Sequence, residues 1–196
     1  MPVETMLSFL NNCTPEAKLG FQVVTQCAPV LKGVKMSNLI SVKQGSWLKI
    51  RAYLKRSRIV CVPLYSDGVK EVLFLYRFDR LRTHLCQEKI RKFLYRYGYT
   101  CFDVGSVLKR LRERYRLYAQ ARGEFPHELG VLLEYPLEDV EGFIENAGQN
   151  SLASRYWKVY HNPQEAERTF RVYDEAKEQA MQEIMNGYAL GQVAVS

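Results

Sequence analysis

Long apolar runs are missing from this sequence. No stretch reaches the roughly 18 to 20 consecutive apolar residues that a membrane-spanning helix needs. The first segment, Met1 to Asn12, contains Glu4 but no lysine or arginine, so it lacks the basic start of a secretory signal peptide. We therefore expect a soluble, cytoplasmic protein with no membrane span.

Cysteine and histidine are few and widely spaced. The chain has five cysteines and three histidines, with no C-x-x-C pair and no H-x-x-x-H spacing. Scattered cysteines in an odd number are typical of reduced thiols rather than of a disulfide framework. The Walker A loop, the dinucleotide fingerprint and the G-x-S-x-G elbow are missing as well. These absences exclude the commonest signatures of nucleotide, dinucleotide and hydrolase sites, and they leave the cofactor and any metal unassigned.

The charge is unevenly distributed along the chain, although the total is only +7. The basic part, residues 1–124, holds 23 Lys and Arg against 9 Asp and Glu, which makes it +14. The acidic part, residues 125–196, holds 5 against 12 and is −7. Such asymmetry fits either an anion-binding face on the basic part or attraction between the two parts across an internal interface, and composition does not choose between them.

A hairpin is the strongest local structural signal. Two β-rich runs, Ile59–Leu64 and Glu71–Tyr76, flank Ser66-Asp67-Gly68, whose Asp-Gly step is typical of a tight turn. Pro63 cannot donate a ladder hydrogen bond, so its strand is expected at a sheet edge. With 47% hydrophobic residues in a chain of 196, we expect one sizeable core.

Apolar positions at helical spacing predict most of the remaining elements. Thr14 and Pro15 mark the start of a helix that Ala28-Pro29 is expected to end, because proline and the residue before it leave the α region. The other predicted helices share an apolar stripe: Met1–Asn12, Trp47–Arg58, Asp79–Arg96, Val104–Ala121, two within Phe125–Gly148, and Pro163–Asn186. Short strands are predicted at Asn38–Val42 and Trp157–Tyr160. The sequence thus predicts an α+β fold: a mostly helical single domain over residues 1–196 with a small, largely antiparallel sheet containing the hairpin near residues 59–76.

Basic residues recur on three of these predicted helices, with tyrosines among them. If the basic faces lie side by side, they form a phosphate-binding surface on which tyrosines stack on bases. The alternative is a set of solvated helix faces, partly neutralised by the acidic part, since no nucleic-acid-binding motif accompanies the charge. The residues that represent the nucleic-acid hypothesis are Arg51, Lys55, Arg91, Arg112 and Arg116.

A thiol and an imidazole offer a combination suited to nucleophilic chemistry. Cys27 precedes Ala28-Pro29, where the chain is expected to bend and expose the thiol, and His127 lies at a predicted helix start. Glu128 or Asn146 would then orient the imidazole. The same cysteine and histidine can instead ligate a metal or haem iron. Nothing in their spacing places Cys27 and His127 together.

An amide-rich loop around Asn146 is followed by Lys158 and Tyr160 on a predicted strand. Glycines close to this loop mark a helix end and a tight turn, and its amide side chains can bond the local backbone. The segment predicts either a small polar pocket lined by these residues or an ordered loop that ties the strand to the core. Both interpretations stay open.

Five segments of the chain carry a recognisable combination of residues: Cys27–Lys35 with Asn38-Leu39, Leu75–Arg77, Phe125–Gly130, Tyr135–Ile144 and Tyr156–Tyr160. In that combination the chain resembles an uncharacterised bacterial family, the domain of unknown function DUF3793, over nearly its whole length. The family pattern has glycine where this chain has Glu134 and threonine where it has Val30. The resemblance implies a link to iron or redox physiology and carries no established activity.

The family-like segments contain a set of candidate site residues: Cys27, Arg77, His127, Glu128, Asn146, Lys158 and Tyr160. We predict that they converge on one cleft that binds a small anionic or metal-containing ligand. Arg77 and Lys158 would be its charge partners, and Cys27 and His127 would be nucleophile and base, or ligands. The rival hypotheses are a nucleic-acid-binding module that uses the cationic helices and a structural or interaction protein without a ligand. The sequence leaves open the oligomeric state and whether the protein is an enzyme.

Overall fold

The computed structural model describes residues 3–194, which form ten helices and five strands. Met1 and Pro2, the start of the first predicted helix, lie outside the described residues. The helices are α1 (Val3–Asn12), α2 (Pro15–Leu31), α3 (Ser46–Tyr53), α4 (Phe78–Leu85), α5 (Glu88–Tyr95), α6 (Val104–Ala119), α7 (Glu128–Leu132), α8 (Leu137–Glu145), α9 (Pro163–Met185) and α10 (Leu190–Val193). The strands are β1 (Ser37–Lys43), β2 (Ile59–Ser66), β3 (Lys70–Arg77), β4 (Ala153–Ser154) and β5 (Lys158–Val159). None of the helices in this part of the chain is both long and apolar enough to cross a membrane.

A three-stranded antiparallel sheet in the order β1-β3-β2 organises the fold. β2 and β3 form the predicted hairpin, and the Asp67 carboxylate in the turn accepts hydrogen bonds from the N–H groups of Val69 and Lys70 at 2.8 and 2.7 Å. β2 lies at the edge and contains Pro63, as predicted. A separate two-stranded ribbon pairs β4 with β5. The prediction of a mostly helical α+β domain with a small antiparallel sheet is confirmed.

The open edge of β2 is covered by side chains from both faces of the sheet. Trp47 on α3 donates from its indole N–H to the Cys61 carbonyl at 3.1 Å. Arg112 on α6 donates from Nε to the Pro63 carbonyl at 3.0 Å. Because α3 and α6 contribute to cores on opposite faces, these bonds tie both helices to the edge strand. They also occupy carbonyl groups that otherwise invite pairing with another strand.

The two faces of the sheet support two cores. Leu73 and Leu75 of β3 belong to the first core, which α2, α3 and the C-terminal half of α9 complete. Phe74 and Tyr76, the alternate residues of the same strand, belong to the second core, which α4 to α8 complete. This division follows from the two-residue period of a strand, which sends successive side chains to opposite faces.

Helix α2 continues through the Ala28-Pro29 step, where the sequence pattern predicted its end. Residues 28–31 are fully buried or nearly so. Arg77 on β3 donates from Nε to the Val30 carbonyl at 2.9 Å and from Nη2 to the Leu31 carbonyl at 3.0 Å. The prediction was wrong because burial of the last turn and this guanidinium cap outweigh the one hydrogen bond that Pro29 removes.

The segment predicted as one helix over residues 79–96 forms two helices, α4 and α5. Gln87, between them, has extended backbone angles of φ −70° and ψ 130°. Arg91 donates from Nε to the Leu85 carbonyl at 2.8 Å and so satisfies a carbonyl group at the end of α4. The predicted apolar stripe still faces one core, since both helices bury their leucines there.

Ion pairs join the basic part of the chain to the acidic part. Within residues 3–194 there are five such pairs, with N–O distances of 3.6 Å or less: Lys32–Glu183, Arg80–Glu134, Lys89–Glu138, Arg96–Glu141 and Arg114–Glu128. Most are at least partly exposed, so each contributes little stability on its own. Together they show that the attraction suggested by the charge asymmetry exists within the fold.

Candidate functional site

An aromatic cleft opens where α7, α8 and β5 meet. Its volume is about 270 Å³, and its walls are mostly apolar. We call it the aromatic cleft. The side chains that decide its chemistry are Phe125, His127, Tyr135, Phe143, Trp157 and Lys158.

The turn between α7 and α8 builds one wall of the aromatic cleft. Gly130 packs so closely on Val140 that an added Cβ would lie 2.9 Å from Val140 Cγ2, so glycine lets the two helices meet. Glu134 has φ +65°, a left-handed conformation that favours the glycine of the family pattern. Its carboxylate accepts hydrogen bonds from Arg80 at 2.7 Å and from the N–H of Met36. These bonds hold a strained residue in place between Leu133 and Tyr135, which both line the cleft.

Asp139, which the sequence did not single out, holds Trp157 in the wall of the aromatic cleft. It is 2% exposed, and one carboxylate oxygen accepts the indole N–H of Trp157 at 2.7 Å. The other oxygen accepts the backbone N–H groups of Tyr160 and His161, both at 2.7 Å. With both oxygens engaged, Asp139 is a structural anchor. The sequence offered two signals for it: its place in the first turn of α8, where acidic residues are favoured, and its position within the family-like segment Tyr135–Ile144.

Lys158 and His127 are the basic side chains that line this mostly apolar cleft. Lys158 donates from Nζ to the Gly148 carbonyl, and Nζ lies 5.9 Å from the centroid of the Phe143 ring. The His127 ring packs between Phe125 and Phe143, with centroid separations of 5.4 and 5.8 Å. An ammonium beside aromatic faces suits a ligand that combines a flat apolar body with a negative charge.

Glu128 follows His127 but does not line the aromatic cleft. Its side chain is fully buried, where it pairs with the guanidinium of Arg114 and accepts the hydroxyl of Tyr99 at 3.1 Å. Burial and the negative charge of Glu128 raise the pKa of Tyr99. Glu128 therefore interacts with Arg114 and Tyr99 rather than with His127. Its ion pair with Arg114 links α7 to α6.

Cys27 lies in the first core, whereas the helix that follows His127 packs into the second. Its Sγ is 3.5 Å from the amide nitrogen of Asn38, and burial raises the pKa of the thiol to about 11. The structure does not bring Cys27 and His127 together. Because α2 continues through Pro29, the thiol stays in the core instead of being exposed at a bend. Within residues 3–194, no group of three or more His, Cys, Asp or Glu side chains is arranged to hold a metal ion.

Lys35 is a buried amine that sequence reasoning missed. It is 1% exposed, and Nζ donates to Oδ1 of Asn38 at 2.9 Å. Nζ also lies 5.1 and 5.7 Å from the ring centroids of Tyr135 and Tyr173. Burial lowers its pKa to about 8. No pattern marked this lysine, because it stands in a short turn between a helix and a strand, where lysine is ordinarily solvated.

The remaining candidate residues act on backbone and packing. Arg77 caps α2, and Asn146 donates from Nδ2 to the Gly142 carbonyl at 2.8 Å near the end of α8. Tyr160 packs on Gly142, where an added Cβ would lie 2.6 Å from Tyr160 Cβ. The buried Tyr160 hydroxyl has no hydrogen-bond partner among the described residues. Of the seven candidates, those that line the aromatic cleft are His127 and Lys158.

The residues of the nucleic-acid hypothesis lie on α3 and the turn after it, on α5 and on α6. Arg112 and Arg91 brace the fold as described above, and the Arg51 guanidinium lies 5.8 Å from the centroid of the Trp47 ring. Lys55 and Arg116 are exposed. In the described part of the chain, none of the five pairs with a carboxylate. Positive surface therefore remains after the two parts of the chain have paired.

Comparison with known proteins finds a family match. The model of the family DUF3793, described as a protein of unknown function, matches residues 23–194. The match runs from within α2 to the end of α10, so it includes most of the first core, the second core, the aromatic cleft and the cationic helices. No curated protein and no solved structure matches the chain. The chain therefore belongs to the DUF3793 family of proteins of unknown function.

Proposed function

We propose that this protein is a soluble, cytoplasmic binding protein whose aromatic cleft holds a small, flat, apolar ligand with a negative charge. The observation that carries the proposal is the composition of the cleft. Four large aromatic side chains and one lysine ammonium surround a space of about 270 Å³. Ligand sites typically combine such an apolar lining with a few polar groups that orient the ligand.

The size of the aromatic cleft favours a ligand of one or two fused rings. Its volume lies just below the ~300 Å³ at which sites for drug-sized molecules begin. Tyr135 and Trp157 are stacked with ring centroids 5.4 Å apart, and both line the cleft. Their faces offer a flat wall against which a planar ligand packs.

The polar groups of the cleft favour an anion. An ammonium has three hydrogen-bond donors, and Lys158 gives one of them to the Gly148 carbonyl. Asp139, the acidic group in the wall, is 2% exposed and has both oxygens engaged, so neither oxygen is presented to a ligand. A carboxylate or sulfonate on the ligand is therefore the group that we expect at Lys158. The proposal makes no use of Cys27, whose thiol is buried in the first core.

Titration with 2-naphthoate tests this proposal, because that anion has two fused rings and one carboxylate. Tryptophan fluorescence follows binding, and 2-naphthamide serves as a neutral probe of the same shape. We expect Lys158→Met to weaken 2-naphthoate binding about tenfold, which corresponds to ~1.4 kcal/mol, and to leave 2-naphthamide binding unchanged. Phe143→Ala should weaken the binding of both probes because it removes part of the apolar wall.

The matched control is Lys177→Met, which removes the same charge from α9 outside the cleft. It should change the affinity for neither probe. The proposal fails if neither probe binds at millimolar concentration, or if Phe143→Ala leaves both affinities unchanged.

A further inference from the structure

A row of aromatic rings continues from the aromatic cleft across the protein. Each ring contacts the next, and successive centroids are 5.2 to 6.3 Å apart. These separations lie within the range of direct ring contact. We call this row the aromatic band, and its members in order are Tyr65, Tyr115, Tyr118, Phe125, His127 and Phe143.

The middle of the aromatic band is open to solvent. Tyr118 and Phe125 are each 40% exposed, and the neighbouring Leu117 is 41% exposed. The other four rings are half-buried. Large apolar side chains that adjoin one another at the surface are typical of an interaction site, whereas isolated ones are not.

Cations flank both ends of the aromatic band. Arg112 and Arg116 lie one turn apart on α6, the first three residues before Tyr115 and the second directly after it. At the other end, Nζ of Lys158 lies 5.9 Å from the centroid of the Phe143 ring. Within residues 3–194, none of these three cations is neutralised by an ion pair. The band therefore joins exposed rings to unneutralised positive charge.

We propose that the aromatic band binds single-stranded nucleic acid, with bases stacked on its rings and phosphates held by Arg112, Arg116 and Lys158. Every base has a face that stacks on an aromatic side chain, and every phosphate attracts a cation. A duplex fits less well, because its bases are already stacked on one another. With six rings in the band, we expect a site for about four nucleotides, at the short end of single-stranded sites.

This proposal goes beyond the small-ligand site and does not depend on it. Tyr65, Tyr115 and Tyr118 lie outside the aromatic cleft, as do Arg112 and Arg116. The hypothesis drawn from the cationic helices named arginines and lysines on three helices, whereas this proposal uses the arginines of α6 because that helix also carries Tyr115 and Tyr118. An acidic protein segment is the competing partner, since it also carries negative charge.

Fluorescence anisotropy with a labelled oligothymidylate about ten nucleotides long tests the proposal. An oligomer with the same number of phosphates but no bases is the comparison. We expect the oligothymidylate to bind more tightly at low salt, because the abasic strand has no bases to stack. The logarithm of its affinity should fall linearly with the logarithm of the salt concentration.

Three substitutions separate stacking from charge. Tyr118→Ala should weaken oligothymidylate binding about tenfold, within the range for one lost base stack, and should leave abasic binding unchanged. Arg116→Gln should weaken the binding of both strands and lower the salt slope by about one. Glu124→Gln should strengthen both, because Glu124 is the acidic residue that precedes Phe125 in the band.

The matched control is Arg168→Gln, which removes an exposed arginine of α9 away from the band. It should have less effect than Arg116→Gln on either strand. Circular dichroism and an unchanged affinity of Tyr118→Ala for 2-naphthoate would show that the fold and the cleft are intact. Failure of 2-naphthoate to bind would count against the small-ligand proposal and not against this one.

Four outcomes of the measurements with the two strands would overturn the nucleic-acid proposal. They are no binding of the oligothymidylate at low salt, equal affinity for the two strands, an unchanged affinity in Tyr118→Ala, and equal losses in Arg116→Gln and Arg168→Gln. Tighter binding of a polyglutamate peptide than of the oligothymidylate would also overturn it, and would assign the band to an acidic protein partner.

Discussion

Two lysines, one in the interior and one in the aromatic cleft, show how the fold treats the same functional group in two regions. Lys35 is enclosed by Asn38 and two tyrosine rings, and burial lowers its pKa to about 8. Lys158 lies on the cleft wall and is bonded to a carbonyl. Tyr135 contacts the first lysine and also lines the cleft of the second. The difference teaches that enclosure, and not residue type, decides which cation is available to a ligand.

The largest expected effect is a loss of stability at α7, the helix that carries part of the cleft wall in this comparison. Glu128 is fully buried against Arg114 and Tyr99, so Glu128→Ala leaves a guanidinium and a hydroxyl without their acceptor. We expect it to lower the free energy of unfolding by ~3 to 5 kcal/mol, measured by urea denaturation. The control is Glu138→Ala, whose partner Lys89 lies in a solvent-exposed pair, with an expected loss of ~1 kcal/mol or less. Equal losses in the two variants would contradict the assignment.

A smaller effect, a gain in stability, is expected at Lys35, the interior lysine of this comparison. The pKa of Lys35 falls from 10.5 in the unfolded chain to about 8 in the folded protein. Between these pH values the unfolded chain binds more protons, so the contribution of Lys35 to stability rises with pH. Below pH 8 the folded protein bears the full cost of the buried ammonium, ~3 kcal/mol.

Lys35→Met should therefore raise the free energy of unfolding by up to ~3 kcal/mol near neutral pH, with the gain fading as pH rises towards 10.5. Denaturation curves of both proteins across this pH range measure the difference, in which the other titrating groups cancel. Lys35→Arg keeps the charge and should show no such gain. A gain that does not depend on pH would rule out relief of a buried charge as its cause.

The smallest expected effect concerns Cys27, which the sequence grouped with the cleft residues. Its pKa rises from 9.0 to about 11, which by itself lowers the thiolate fraction about 100-fold near pH 8. We expect a water-soluble disulfide reagent to label the exposed Cys86 and Cys101 rapidly, and Cys27 only as fast as the protein unfolds. Cys27→Ala should leave 2-naphthoate binding unchanged. Labelling of Cys27 at the rate of Cys86 would contradict its burial in the first core. Loss of binding in Cys27→Ala would show that Cys27 contributes to the cleft.

Local signals in the sequence predicted the hairpin and the helices well. The Asp67-Gly68 turn and the edge position of Pro63 depend on a few neighbouring residues, so a single sequence is enough to predict them. The end of α2 was not predictable in this way, because Arg77, which caps its last turn, lies 47 residues from Val30 in the sequence.

The candidate site also contains some residues that the sequence identified and others that only the tertiary structure revealed. His127 and Lys158 were both named from the sequence, and both line the aromatic cleft. Asp139 and Lys35 were not named from the sequence, because they are distinguished by their burial and by partners on other elements. The resemblance to the family marked segments of the chain, and it did not say which of their side chains share a cleft.

By itself the sequence determined the split between a basic and an acidic part, the hairpin, and the apolar stripes that predict most of the helices. The tertiary structure alone decided which charges neutralise one another, which lysine is enclosed, and that Cys27 and His127 belong to different regions. The physical reason is that propensity and periodicity act between near neighbours, whereas burial and ion pairing depend on distant residues. The bonds of Glu134 to Arg80 and of Asp139 to Trp157 span 54 and 18 residues of sequence.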